Sequence, residues 1–341
     1  MICPCCARPH ENQGLDSAEP FHCKGCGHHW YSPATRASTD YGKLGGRNAV
    51  KGSSHVRKMQ DRMADIAPLL RHGMRVLEIG CAEGSLGTMV RQSLPVHYTG
   101  IELSEDAAIA ARVLDRVVRT PVATLVNEKF DLLLSFHVLE HVADVTAEIR
   151  HWRKLLDDDG RLIIEVPNQA GHRLLDLDPN PEHLHQFSVA SIAALLIHED
   201  FEVDRIESGH WESSVYSNSL RVFARPALTG HQRRALLLQR FQSHLPDQFA
   251  AWGIGGDFRA YVEPLLDSLP VAALIDSAEQ RQGERHGHLT VETYDERRHG
   301  ALPILVCSVR YRDDILRNID ALGIPSSRIV SLDDVFGPSR P

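Results

Sequence analysis

A chain of 341 residues, 43% hydrophobic and 24% charged, is long enough for a large core and more than one domain. Its formal net charge of −8 argues against a protein built mainly to grip nucleic acid, whose phosphates call for a basic face. No apolar run has the length of a membrane-crossing helix and the first residues do not read as a secretory leader, so a cytoplasmic location is expected.

Five of the seven cysteines fall within the first 26 residues. Cys3-x-x-Cys6 and Cys23-x-x-Cys26-Gly27 are two knuckles at the spacing of a zinc ribbon. Four thiolates close a tetrahedral site, so the expected ion is a structural Zn²⁺ held by Cys3, Cys6, Cys23 and Cys26. A segment this short draws most of its folding energy from the metal. Cys5 could compete with Cys3 or Cys6, though its spacing to either is too short for the usual knuckle, and His22, His28 and His29 are nearby substitutes. The ribbon is assigned to residues 1–34, and the Gly- and Ser-rich stretch 35–53 to a linker.

An α/β block follows, assigned to residues 54–226. A helix over His55–Leu70 carries apolar Val56, Met59, Met63, Ile66 and Leu69 at helical spacing. Strands are expected at 76–80, 97–102, 116–118, 130–135 and 161–166, with helices at 84–93, 104–112 and 142–156. The acidic run 157–160 reads as a turn closing the last helix. Such alternation implies a parallel sheet covered on both faces.

Within that block, Val76-Leu77-Glu78-Ile79-Gly80-Cys81-Ala82-Glu83-Gly84-Ser85-Leu86-Gly87 reads as an apolar strand ending in a carboxylate, then a glycine turn, then a helix. Gly80, Gly84 and Gly87 suit a tight turn and close approach to a ligand. The next strand ends in Glu102, placed to accept from both hydroxyls of a ribose. A dinucleotide fingerprint requires G-x-G-x-x-G, and a carboxylate at 78 would repel a pyrophosphate. It suits a ligand bearing an amino group and a sulfonium. The segment therefore resembles the first motif of class I S-adenosylmethionine-dependent methyltransferases, E/D-x-G-x-G-x-G, with Ala82 in place of the middle glycine. That resemblance implies S-adenosylmethionine as cofactor, with Glu78, Gly80, Cys81, Ala82, Gly84, Gly87, Glu102, Leu103 and His137 about it. A Rossmann-like unit with no ligand would leave Glu78 and Glu102 unexplained.

Two histidine-rich segments are candidates for chemistry. Phe136-His137-Val138-Leu139-Glu140-His141-Val142 follows the fourth strand, where α/β sheets bind ligands. His137 is expected to close over the cofactor, and Glu140 and His141 either to cap the next helix or to act directly. Asn180-Pro181-Glu182-His183-Leu184-His185-Gln186-Phe187-Ser188 lies after the fifth strand, with Ser188 as N-cap of a helix over 189–198. His183 beside Glu182 is a general base suited to neutral pH. The catalytic candidates are thus His183, Glu182, His137 and His141.

Residues 227–341 form a second small Rossmann-like unit. Its expected elements are a helix 230–245, a strand at 248–252 with the turn Gly253-Ile254-Gly255-Gly256, and a helix 257–269. Strands at 271–275 and 304–307, a helix 312–322 and a strand at 329–330 complete it. Asp276 could meet a nucleotide, or the unit could serve assembly alone.

Ribbon, core and C-terminal α/β unit in this order resemble the sugar methyltransferases, which include nucleotide-sugar 3-C-methyltransferases. The carriers are the two Cys knuckles, Glu78–Gly87, His137–Val142, Glu182-His183-Leu184 with Phe187-Ser188, and Trp252-Gly253-Ile254-Gly255. That family's loop reads Tyr-x-Glu-His, and the tyrosine position is Asn180 here. The resemblance implies methylation of a sugar, on a nucleotide sugar, glycan or glycosylated natural product. Oxygen is the expected atom, since one base, His183, suffices for a hydroxyl. The alternatives are C-methylation of a keto nucleotide sugar, an RNA methyltransferase gripping RNA through Arg8, Lys24, His28, Trp30 and Tyr31, and a non-catalytic cofactor sensor.

Overall fold

The computed structural model describes residues 2–9, 19–32, 52–169, 180–213, 216–245 and 247–337, in two compact units, Met1–Ala227 and Leu228–Pro341. Residues 33–51, nearly all of the expected linker, lie outside the described residues; Ser53 already belongs to the first helix.

The first unit is built on a seven-stranded sheet. In chain order its strands are β3 (Arg75–Ile79), β4 (His97–Ile101), β5 (Arg116–Val118), β6 (Phe130–Phe136), β7 (Leu156–Pro167), β9 (Phe201–His210) and β10 (Ser219–Pro226). They lie in the order β5-β4-β3-β6-β7-β10-β9, parallel from β5 to β7. β10 runs antiparallel to both its neighbours. Successive residues face opposite sides: Leu77 and Leu133 join one core cluster with Ile149 and Trp152, while Val76, Leu132 and Ile163 join another with Met59, Ile66 and Leu86. By the same period Glu78 and Glu165 point to the side of the helix α1 (Ser53–Ile66). That parity puts two carboxylates under one helix.

The helices are α2 (Ser85–Ser93), α3 (Ala107–Ala110), α4 (Val145–Leu155) and α5 (Val189–His198). α5 starts at the expected Ser188, whose Oγ accepts from Ser191 N–H in a reciprocal capping box. Three expectations are corrected. The helix over 104–112 is a single turn of four residues. α4 begins at Val145 with Asp144 as its N-cap, accepting from Ala147 N–H at 2.9 Å, so Glu140 and His141 cap nothing and sit on a short 3₁₀ turn, Leu139–His141. Residues 157–160 belong to β7: Phe130 pairs with Leu156 and Leu132 with Arg161, so the acidic run bulges out within the strand. β9 and β10 were not anticipated. A register shift opposite Phe223/Ala224 leaves Asp204 unpaired and breaks the alternation that marks a strand.

A smaller sheet orders β1 (Phe21–His22), β2 (His29–Trp30) and β8 (His185–Gln186), all antiparallel. It joins the cysteine knuckles to the segment after β7.

The second unit has a six-stranded sheet. Its strands are β11 (Phe249–Trp252), β12 (Val271–Ile275), β13 (Arg285–His286), β14 (Leu289–Glu292), β15 (Ile304–Val306) and β16 (Ile329–Ser331). The order is β13-β14-β12-β11-β15-β16, parallel except for β13. The helix α6 (Gly230–His244) stands as expected, but the helix over 257–269 is α7 (Gly256–Tyr261) followed by a 3₁₀ turn through Pro264. Asp276 accepts from Ile254 N–H at 2.8 Å and Ala278 N–H at 2.9 Å, so its carboxylate ties down the glycine turn.

Candidate active site

A cavity of about 520 Å³ opens at the carboxyl ends of β3, β4 and β6. Glu78, Gly80, Cys81, Ala82, Glu102 and Leu103 border it, with His137, His141 and Glu182. Gly84 and Gly87 do not. A Cβ on Gly84 would lie 2.9 Å from Val113 Cγ2, and one on Gly87 2.6 Å from Tyr98 Cε1. Both glycines let α2 pack onto its neighbours, and Gly84, at φ +81°, makes the tight turn into that helix. Ala82, where the motif has a glycine, sits at φ +46°, in the left-handed region.

The acids fit a donor with a ribose and a charged amino-acid tail. Glu102 accepts from Ala82 N–H at 2.9 Å through Oε2 and from Ser104 N–H at 2.8 Å through Oε1, which fixes the carboxylate at the cavity edge. Each oxygen keeps a second lone pair for a hydroxyl. Glu78 is 5% exposed, and burial pushes its carboxyl up to about 7, partly offset by the Tyr98 hydroxyl donating to Oε2 at 2.8 Å. A buried carboxylate held at that cost is suited to an ammonium partner.

The sequence reading missed the contribution of α1. His55, Lys58 and Arg62 recur at helical spacing and border the cavity. The signal was present, but polar positions on an amphipathic helix read as a solvated face. Arg62 donates to Glu165 Oε1 at 2.6 Å and Glu212 Oε2 at 2.7 Å, with its guanidinium 4.3 Å over Phe136. Arg221, 1% exposed, donates to Glu165 Oε2 at 2.8 Å through Nε. Burial opposes the charge on Glu165, but the two guanidiniums hold its carboxyl well below the ordinary range.

His137 caps β6 with φ +55°, its N–H donating to Glu165 O at 2.8 Å. Its ring lies between Glu140 Oε1, 3.2 Å from Nδ1, and Ser219 Oγ, 3.2 Å from Nε2. Burial disfavours its charge, but Glu140 and Glu165 prevail and raise it to about 9. Protonated on both nitrogens at neutral pH, this imidazole has no lone pair to accept a proton. Its pKa is raised above the ordinary 6.5, so its contribution to stability is complete below that value and disappears as pH rises through about 9. In urea titrations from pH 6 to 10, the stability gap between wild type and His137→Gln is expected to be roughly 3 kcal/mol at pH 6 and to close above pH 9.

Glu140, His141 and His183 form a second cluster. Glu140 is fully buried; its Oε1 lies 4.0 Å from His141 Nε2 and 4.0 Å from His183 Nε2, and Oε2 has no hydrogen-bond partner among the described residues. His141 Nδ1 lies 3.0 Å from the Glu182 carbonyl, which can only accept, so Nδ1 carries the proton and Nε2 the lone pair. Burial moves His141 below the ordinary histidine range despite the Glu140 charge. His183 is 3% exposed, meets His141 edge to face at 4.7 Å and Asn180 Nδ2 at 3.0 Å, and does not border the cavity.

The Sγ atoms of Cys3, Cys6, Cys23 and Cys26 lie within 4.8 Å of one another, as a tetrahedral metal requires. Cys5 is buried but outside this cluster, and His28 turns away to His185, 3.0 Å from its Nε2. His28, Trp30 and Tyr31 are all buried, which removes the aromatic members of the RNA-gripping face considered above.

A parallel sheet with an acid on β3, a glycine turn and a second acid after β4, all at one cavity, is the arrangement expected of a donor site in a class I methyltransferase fold. Residues 53–206 match the family described as methyltransferase domain, and the chain is an S-adenosylmethionine-dependent methyltransferase. It is similar to the 27-O-demethylrifamycin SV methyltransferase of Amycolatopsis mediterranei (strain S699), 28% identical over 60% of this chain and 78% of that protein. It is also similar to the ubiquinone biosynthesis O-methyltransferase of Glaesserella parasuis, 30% identical over 29% of this chain, which spans only 47% of that relative's length. Among solved structures, the magnesium protoporphyrin IX methyltransferase of Synechocystis PCC 6803 with bound SAH overlaps 51% of this chain and 84% of its own, at 20% identity and a TM-score of 0.41.

Proposed function

We propose that this chain moves a methyl group onto a hydroxyl of a small polar acceptor, of the sugar class that the resemblance favours, with His141 as general base. What carries the reading is that His141 borders the same cavity as Glu78 and Glu102. When bound, S-adenosylmethionine supplies a methyl on positively charged sulfur, so the protein must mainly position the reactants and take the acceptor's proton. Glu78 holds the donor's ammonium, Glu102 its ribose, and the cations of α1 its carboxylate. His141 Nε2 accepts the hydroxyl proton, and Glu140 stabilises the imidazolium that results. His183, expected as the base, then acts from behind, holding the ring of His141.

Oxygen is favoured over carbon on two grounds. Both relatives above carry O-methylation in their names. Asn180, in place of the family's tyrosine, offers an amide to His183 rather than a phenol that can exchange a proton. We further infer that Cys3, Cys6, Cys23 and Cys26 hold a structural Zn²⁺, since four sulfurs leave no coordination position for substrate.

A labelled-methyl assay against pooled nucleotide sugars, glycans and RNA tests the acceptor class. Alkali-stable label in the sugar pools supports the reading, and label in RNA alone overturns it. The role of Glu78 has its own test. Its carboxyl stands at about 7 in the free protein and falls on meeting an ammonium, so donor binding releases a proton. Affinity should rise with pH up to about 7, and calorimetry at pH 6 in two buffers of different ionisation enthalpy should show that release; Glu78→Gln abolishes it.

A further inference from the structure

The cysteine knuckles are stitched to residues 184–188, which follow His183 and bond to Glu140, and each stitch is visible. β2 pairs with β8, Trp30 opposite His185 and His29 opposite Gln186. Tyr31 N–H donates to Leu184 O at 2.9 Å, and Leu184 N–H donates to Glu140 O at 2.8 Å. Ser188 Oγ donates to the carbonyl of Cys26 at 3.1 Å, and Thr146 Oγ1 to that of Pro4 at 2.8 Å. Between the second knuckle and β8, His28 Nε2 meets His185 Nδ1 at 3.0 Å, with the His28 ring 5.7 Å from that of Trp30 and 5.1 Å from that of Phe187. Leu184 follows His183 directly, so one backbone path runs from the cysteines through Tyr31 and Leu184 to Glu140.

The geometry points to the four-cysteine cluster as a positioning element of the transfer site, with His28 as the side chain that couples it to the catalytic segment. A two-residue strand has no stability of its own. β2 keeps its place because Cys23 and Cys26 are fixed just before it, and β8 keeps its place because β2 does. With the metal lost, residues 2–9 and 19–32 lose the constraint that holds them, and residues 184–188 lose the partner that aligns them. The donor site on β3 and β4 makes none of these bonds and is left intact. The effect on turnover rests on the proposed role of His141 and Glu140; the dependence of the β2–β8 pairing on the cysteine cluster does not.

The test uses the full chain. Metal is first removed from the wild-type protein with a chelator, and amide exchange is compared with the loaded form. Exchange at Tyr31 and Leu184 is expected to accelerate by at least about tenfold, while amides of β3 and affinity for S-adenosylmethionine stay unchanged. Next, His28→Phe keeps all four cysteines and should bind one Co²⁺ with a tetrathiolate spectrum. Its kcat should nonetheless fall by roughly 10–100-fold with KM for the donor unchanged. His28→Gln, which can still bond His185, should recover most of that loss. Unchanged exchange at Leu184 without metal, or wild-type turnover by His28→Phe, overturns the proposal. Should His141→Ala retain full turnover, the base assignment fails while the exchange result still decides whether the cysteine cluster holds the β2–β8 pairing.

Discussion

His141→Ala is expected to lower kcat by about 10²–10⁴-fold while donor affinity stays within about threefold, the loss that follows removal of a general base. The ring borders the cavity, its Nδ1–H is held by the Glu182 carbonyl, and its Nε2 faces Glu140 at 4.0 Å. Glu78 and Glu102 are fixed by other groups, Tyr98 for the first and the Ala82 and Ser104 N–H groups for the second, so binding and turnover should separate. Because burial moves His141 below the ordinary histidine range, it is neutral and able to accept a proton at pH 7. The kcat profile should therefore rise with pH only on the acid side of 6.5 and be level above it. His183→Ala, which removes a neighbour that does not border the cavity, should cost kcat about tenfold. Equal losses at both positions would show that the two imidazoles act as one unit; full activity in His141→Ala would return the base to His183.

Glu165→Gln should have the largest effect on stability. Glu165 and Arg221 are each 1% exposed, and Glu165 is the carboxylate shared by Arg62 and Arg221. Glutamine keeps the shape but removes the charge, leaving two guanidiniums in the interior with only Asp61, Asp65 and Glu212 at the margin. Removing one member of a buried charge network costs about 3–5 kcal/mol. For a unit of this size that is a fall in melting temperature of roughly 6–20 °C. The same change also takes a charge away from His137. Its stabilising contribution should then be lost at lower pH than in wild type. Urea unfolding at pH 6 and 9 would show both effects, and a loss below about 1 kcal/mol at pH 6 would contradict the network argument.

The meeting of Glu78, the glycine turn and Glu102 at one cavity was legible because its signal is local. Glu78, the glycine turn and Glu102 belong to one strand–turn–helix–strand unit, whose geometry follows from backbone rules alone. The N-cap at Ser188 was equally local, since a serine three residues from its partner N–H needs no distant contact. The packing around Gly84 and Gly87 was not legible for the complementary reason: what a missing Cβ makes room for depends on Val113, Leu114 and Tyr98, set there by the fold. The strand β9 was hidden by a bulge that shifts its alternation by one residue.

Residue order by itself determined the alternation of strands and helices, the donor motif and the two cysteine knuckles, because each is a pattern within a few residues of chain. Only the tertiary structure decided which imidazole borders the cavity, that His137 is held as a cation, and that Arg62 and Arg221 converge on Glu165. It also tied the knuckles to Leu184. Those outcomes depend on burial and on charges brought together from positions up to about 160 residues apart. Proton affinity in an interior is set by such neighbours, which no local pattern records.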